Sequence, residues 1–276
     1  MSIGFTSVPS GAIASGVFIE QEYKRQGVAG PIPQRIAMLG QYNSGKTPTE
    51  NVALNITSAA EAANYFGAGS MLHRMAIKLF GGLGAGSVVV DAFPLAAGTG
   101  ASTGTVTITG TASAAGTIAL YIAGDRVAVA VPSGTLQAAT AALVVAAINA
   151  DVNLPVTAAA VDNVVTLTAK NAGLAANQIT IRQDIGSGDA SAEPAGVTVV
   201  IAAMSGGSAN PSISTALTNF GATFYTWVVC PYNTDTTCDL LESAGAARVD
   251  PSIKRPFAGV VGYNDTRANY LTWLAD

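Results

Sequence analysis

The chain has 276 residues and a net charge of −4, with only 11% charged residues against about 25% in an ordinary soluble domain. Its densest cationic spot is Lys24-Arg25, so the sequence offers no footprint for nucleic acid. So little surface charge protects a lone monomer poorly against association and suits a subunit covered by neighbours; the plainer reading is an Ala/Gly-rich domain whose small residues form no large apolar patch.

Residues 1–19 carry no charge, but Pro9, Gly11, Gly16 and several serines interrupt them, and no positively charged stretch precedes an apolar run. They read as an extended arm (residues 1–25) with an apolar cluster at Gly16–Ile19, rather than a targeting or membrane segment. Ile36-Ala37-Met38-Leu39 predicts a buried strand closed by Gly40. Val52, Leu54 and Ile56 alternate with polar residues, the period of a half-buried strand. Ser58 and Glu61 form a capping box opening a helix that stops at Gly67. Ser70 caps a second helix, with Leu72, Met75, Ala76 and Leu79 on one stripe and Gly81-Gly82 at its end. Ser87–Phe93 is a β-branched strand, which completes a β-α-β layout.

Composition shifts after Pro94. Residues 95–205 hold one aromatic, Tyr121, and three basic residues, Arg126, Lys170 and Arg182. Strands are predicted at 105–109, 117–123, 126–131, 164–168 and 197–201, with one Ala-rich helix over 135–149. That helix is too short, and too polar at Gln137 and Asn149, to span a bilayer. The region reads as a small β-rich domain with hinges at Gly98–Gly104 and Met204–Ala209. The earlier style then returns. Ile213, Leu217 and Phe220 give a helical stripe ending at Gly221, Phe224–Cys230 is a strand, and Asp235 caps a short helix through Leu241. Pro256–Tyr263 is another strand, and a last helix starts near Arg267. The expected fold is an α/β core domain (26–94 and 206–276) interrupted by a β-rich insertion (95–205). A last helix cut off at Asp276 suggests a fragment.

Several motifs imitate enzymes. Gly40-Gln-Tyr-Asn-Ser-Gly45-Lys46-Thr47 satisfies the P-loop pattern, and Val88-Val89-Val90-Asp91 resembles the strand that ends in a magnesium-binding Asp. A P-loop needs a helix running on from its Lys-Thr to hold phosphate, but Pro48 disfavours helical geometry at Thr47 and a strand-like alternation follows. Gly40, Gly45, Lys46 and Thr47 are therefore read as a decoy. Gly100-Ala-Ser102-Thr-Gly104 matches the nucleophile elbow but precedes a strand where a helix is required, and reads as a flexible linker. His73, the one histidine, reads as a surface or partly packed helix residue. Cys230 and Cys238 have neither redox nor zinc spacing and read as buried reduced thiols. Carboxylates are scattered. No catalytic, cofactor-binding or metal-binding residue is nominated.

Five stretches taken together resemble the Mu-type contractile tail sheath family of bacteriophages. They are SIGFTSVPS near the start, FGAGSMLHRMA at 66–76, TGTVTITGTASAAGTIALYIAGDRVAVAV at 103–131, LPVTAAAVDNVVTLTAKNAG at 154–173 and FYTWVVCPYNTD at 224–235. The resemblance implies a structural subunit with no enzymatic activity and no cofactor. Its core would be subtilisin-like and here incomplete, since family members are substantially longer, with the β-rich domain pointing outward. Implied partners are neighbouring sheath subunits joined by strand-adding arms, the tail tube and the baseplate. The implied location is the virion tail, assembled in the host cytoplasm, with no nucleic acid or membrane involved. Two other classes stay open beside it: a P-loop NTPase and a glycan-binding adhesin built on 95–205, the latter disfavoured by the lack of aromatic sugar platforms.

Overall fold

The computed structural model describes residues 34–82 and 88–262. The expected arm, Ser87, Tyr263 and the helix expected from Arg267 lie outside them.

Strand β1 (Gln34–Gln41) is buried almost throughout, because both of its faces are covered. After it come β2 (Leu54–Ile56), helix α1 (Ala59–Phe66), helix α2 (Met71–Gly82) and β3 (Val88–Leu95). Ser58 caps α1 by accepting the Glu61 amide at 3.1 Å. The reciprocal half of the expected box shifts by one residue: Glu61 accepts the amide and the hydroxyl of Thr57, each at 2.8 Å. Gly67 ends the helix at φ 89, where a side chain would be strained. Ser70 accepts the His73 amide at 3.2 Å and so opens α2, whose Leu72 and Ala76 are buried as the stripe predicts.

The chain then builds β4 (Thr103–Thr109), β5 (Gly116–Ile122), β6 (Asp125–Val131), helix α3 (Gln137–Ala150), β7 (Val156–Val161), β8 (Val164–Ala169), β9 (Ile181–Gln183) and β10 (Thr198–Ser205). Strands β7 and β9 are absent from the sequence reading. Both are weak locally: β7 is Val-Thr-Ala-Ala-Ala-Val, and β9 has three residues. Last come α4 (Ser214–Thr218), β11 (Trp227–Cys230), α5 (Asp235–Val249) and β12 (Ala258–Val261). Here β11 begins three residues later than expected, while α5 runs eight residues past Leu241, with Thr234 rather than Asp235 at its N-cap.

Three sheets result. The first, in the order β12-β11-β1-β3-β2, is parallel except for β2. On one of its faces Ile36, Met38, Val90 and Ala92 pack with Phe66, Leu72 and Ala76 of α1 and α2. On the other, Leu39, Phe93 and Val228 pack with Leu217 and Leu241 of α4 and α5, around an aromatic cluster of Phe93, Phe220 and Tyr225. The second sheet, β10-β4-β8-β7, and the third, β6-β5-β9, are antiparallel and enclose a separate apolar core that is covered on one side by the buried stripe of α3. That core is built from Val, Ile, Leu and Ala with a single Met, which the composition anticipates.

The two expected hinges are not free. Thr99 N–H donates to Ala209 at 2.8 Å and Ser208 N–H to Thr99 at 2.9 Å, so the outgoing and returning chains pair with each other. Gly104 and Met204 belong to β4 and β10, and a side chain at Gly207 would collide with the carbonyl of Gly173. The neck is closed by these main-chain bonds, which satisfy polar groups of both passing chains.

Candidate functional site

In the loop after β1, Gly40 belongs to the strand itself. Gly45, at φ 87, faces open space, and Lys46 is exposed. Two of the amides a phosphate would need are already used: Asn43 N–H donates to Phe66 at 2.8 Å and Lys46 N–H to Asn43 at 3.2 Å. The Asn43 side chain also donates to the Ala68 carbonyl at 2.9 Å, fastening the loop to the end of α1. Beyond Thr47-Pro48 the chain is irregular until β2, and the next helix starts at Ala59. No helix therefore runs on from Lys46-Thr47 to hold a phosphate as the P-loop pattern requires. An open cavity of about 440 Å³ lies beside Lys46, Thr47, Asn64 and Tyr65, with Pro48 and Pro94 in its wall.

Asp91 is not a free carboxylate at a strand end. It sits in the middle of β3, opposite Ala37, and is almost fully buried. It accepts the Tyr225 hydroxyl at 3.0 Å and the Asn55 amide at 3.1 Å, with the Arg35 Nε at 3.8 Å. Burial first, and then the Asp91 carboxylate, push the Tyr225 phenol well above its ordinary range, so it stays a donor.

In an open α/β sheet, ligands usually bind outside the carboxyl ends of the strands where the strand order reverses. Here that crevice lies beyond β1 and β11, and the chain's own residues occupy it. Gln41, fully buried, donates to the Ala172 carbonyl at 2.8 Å and accepts the Gly98 amide at 3.0 Å. Asn171 donates to Tyr42 at 2.9 Å and accepts the Met71 amide at 2.7 Å, while Gln178 donates to Asn233 at 3.0 Å. Sequence reasoning passed over these amides. The Asn171–Gly173 stretch between two strands gave a weak turn signal. Gln41, two residues past an apolar run, gave none.

The remaining candidates separate. Ser102 is fully buried at the start of β4, so its stretch is packed structure rather than a flexible linker. His73 is buried, not at the surface. Its Nδ1 accepts the Gly69 amide at 3.0 Å, and burial, then Arg74 and Lys170, hold its pKa below the usual histidine value. Beside it, Arg74 pairs with Asp125 at 2.6 Å and Lys170 donates to Ala68 and Val152 at 3.2 and 2.7 Å, tying the α1–α2 corner to the β-rich region. Cys230 is buried and its thiol is pushed up to about 12, chiefly by desolvation; Cys238 is only half-buried. His73, Ser102 and the cysteines are not brought together by any hydrogen bond among the described residues.

What the described surface does offer is open sheet. β12 is an edge strand with mostly exposed residues, and a groove of about 450 Å³ separates it from α5, lined by Leu241, Gly245, Phe257 and Val261. On the α2 side of the same strands, Trp227 and Val260 are exposed. An edge like this is a template for an added strand.

No family model matches the chain. It is 33% identical over 257 residues to the Mu-like prophage FluMu tail sheath protein of Haemophilus influenzae, covering 91% of this chain. It spans about half the length of that relative, 51%. Among solved structures it is similar to the sheath tail protein of Desulfitobacterium hafniense at 14% identity and TM-score 0.36, covering 94% of this chain and 61% of the other. For the sheath tail protein of Listeria innocua the values are 13% and 0.31, covering 80% and 46%. Over nine-tenths of its length the chain is thus similar in sequence to a Mu-like phage tail sheath protein.

Proposed function

We propose that the chain is a structural subunit of a contractile phage tail sheath, located in the virion tail, that polymerises around the tail tube and drives contraction by rearranging its contacts. The observation that carries the proposal is the 33% identity to a tail sheath protein across nine-tenths of the chain. The geometry favours it over an enzyme. The crevice where an α/β sheet would take a ligand is occupied by Gln41, Asn171, Ala172 and Gln178, and the P-loop match lacks its helix. In this reading Gly40, Gly45, Lys46 and Thr47 are idle, and the subunit has neither catalytic site nor cofactor.

The finer architecture belongs to the same proposal. Residues 26–94 and 206–276 form part of a subtilisin-like core, 95–205 form an inserted domain, and the arm at 1–25 adds a strand to a neighbour. The open β12 edge supports strand addition as the mode of linkage. Neighbouring subunits, tube and baseplate are the partners, joined during assembly in the host cytoplasm.

Electron microscopy of the protein expressed from the intact gene tests the reading. Tubes or stacked rings are expected; dispersed single particles at all concentrations would sink it. Calorimetry with ATP and GTP, with magnesium, tests the idle loop. No saturable binding is expected, whereas binding lost in Lys46→Ala would restore the NTPase reading.

A further inference from the structure

The outward face of the β10-β4-β8-β7 sheet is an uncharged array of threonine, valine and alanine. The face follows from register. Inward residues such as Val106, Val165 and Leu167 are buried in the β-rich core, so their neighbours along each strand point outward. Across the four strands Val200 pairs with Thr107, Thr107 with Val164, and Val164 with Val161, making one continuous row. In the next row Thr105 stands opposite Thr166. Val161 is 76% exposed and Val200 58%. None of the four strands contains a charged residue or a proline.

Solvated sheet faces ordinarily carry polar side chains, here supplied only by threonines among exposed valines and alanines, and edge strands are ordinarily blunted by lysine, proline or bulges. This face has no such guard, and only β10 carries an irregularity, between Ala202 and Ser205. We infer that the face is a docking surface for the same face of a second copy of this chain.

Charge and shape favour a second copy as the occupant. Each chain carries a net charge of −4, so two copies repel except where both surfaces are neutral, as this face is. A basic or acidic partner would find nothing on it to pair with. A glycan would find no ring to stack on: Tyr121, the one aromatic of residues 95–205, lies on the other sheet with its hydroxyl 2.6 Å from Asp189. Two identical sheets share one twist, and sheets of equal twist pack face to face about 10 Å apart at roughly 30°. β-Branched side chains lose little rotamer freedom in such a contact.

Area sets the strength. Four strands about 4.8 Å apart and roughly seven residues long make a face of about 400 Å². That is about half of what a stable pair buries on each side. The contact is therefore weak between free chains and effective only where copies are held at high local concentration. It rests on the face alone and does not require the sheath reading.

Sedimentation velocity on the whole chain from about 10 µM to about 1 mM tests it. A reversible, concentration-dependent dimer is expected. Val200→Lys and Val161→Lys, at exposed positions off the core, should each weaken it about tenfold or more by placing an unpaired charge in a contact that excludes water. Leu136→Lys, at an exposed apolar residue outside the face, should leave it unchanged. A chain monomeric throughout, a dimer indifferent to both valine variants, or one equally weakened by Leu136→Lys would overturn the inference. Tubes in the microscope without this dimer would leave the sheath proposal intact and remove only this one.

Discussion

The hydroxyl of Tyr225 lies 3.0 Å from the carboxylate of Asp91, joining the approach to β11 with the middle of β3 across 134 positions of sequence. That bond decides what Asp91 is. A carboxylate that the sequence offers as a metal ligand is instead a buried acceptor for Tyr225 and Asn55 beside the Arg35 guanidinium. Tyr225→Phe should lower stability by about 1.5–3 kcal/mol, the range for a hydrogen bond to a charged group, read as a shift in the urea midpoint. The phenol's folded pKa is raised, so its contribution is complete below the ordinary tyrosine value of about 10 and declines as pH rises beyond it. The variant should be flatter than the parent in that alkaline window. Equal midpoints for both proteins would show that Asp91 does not need this donor.

His73 predicts the behaviour in acid. Its Nδ1 accepts the Gly69 amide and so must be unprotonated, and burial beside Arg74 and Lys170 lowers its pKa. With the folded value below the unfolded one, its contribution is complete above about pH 6.5 and is lost as pH falls through the folded value. Thermal melts of the parent should lose stability through that range more steeply than those of His73→Leu. Parallel pH profiles would refute this.

The α1 cap gives a local test. Ser58→Ala removes the acceptor for the Glu61 amide and should cost about 1 kcal/mol. Ser58→Gly should cost only a few tenths. Chemical denaturation of both variants separates a capping role from one in packing.

The neck gives a test over distance. Gln41→Leu keeps roughly the same volume but strands the Ala172 carbonyl and the Gly98 amide, two half-buried groups whose loss should cost about 1 kcal/mol each. Hydrogen exchange should quicken at Gly98 and Thr99 and around Ala172 while the centre of β1 stays protected. Gly207→Ala, with its side chain driven against Gly173, should loosen the same segments. Unchanged exchange at the neck in both variants would show that it is not held closed by these contacts.

What could be read from the sequence follows a physical division. The Ser58 cap, the Gly67 stop, the Leu72–Ala76 stripe and the buried run of β1 all express interactions within a turn or two of chain. Strand β7 escaped because Ala-rich residues carry little β signal, although Asp162-Asn163 between β7 and β8 is the kind of two-residue turn that could have revealed the hairpin. α5 was cut short because its exposed second half has no apolar stripe. The irregular path after Lys46-Thr47 was legible because Pro48 acts on its immediate neighbour.

The sequence by itself determined the helix caps, most strands, the compositional break after Pro94 and the resemblance to tail sheath proteins. The tertiary structure alone decided that Asp91 is spent on Tyr225, that His73 is buried, that the neck is closed, and that the crevice beyond β1 is occupied. Each of those rests on a partner that periodicity cannot name, the Gln41–Ala172 bond spanning 131 positions. Local signals register what a residue prefers, but only packing settles which distant polar group must satisfy it once water is gone.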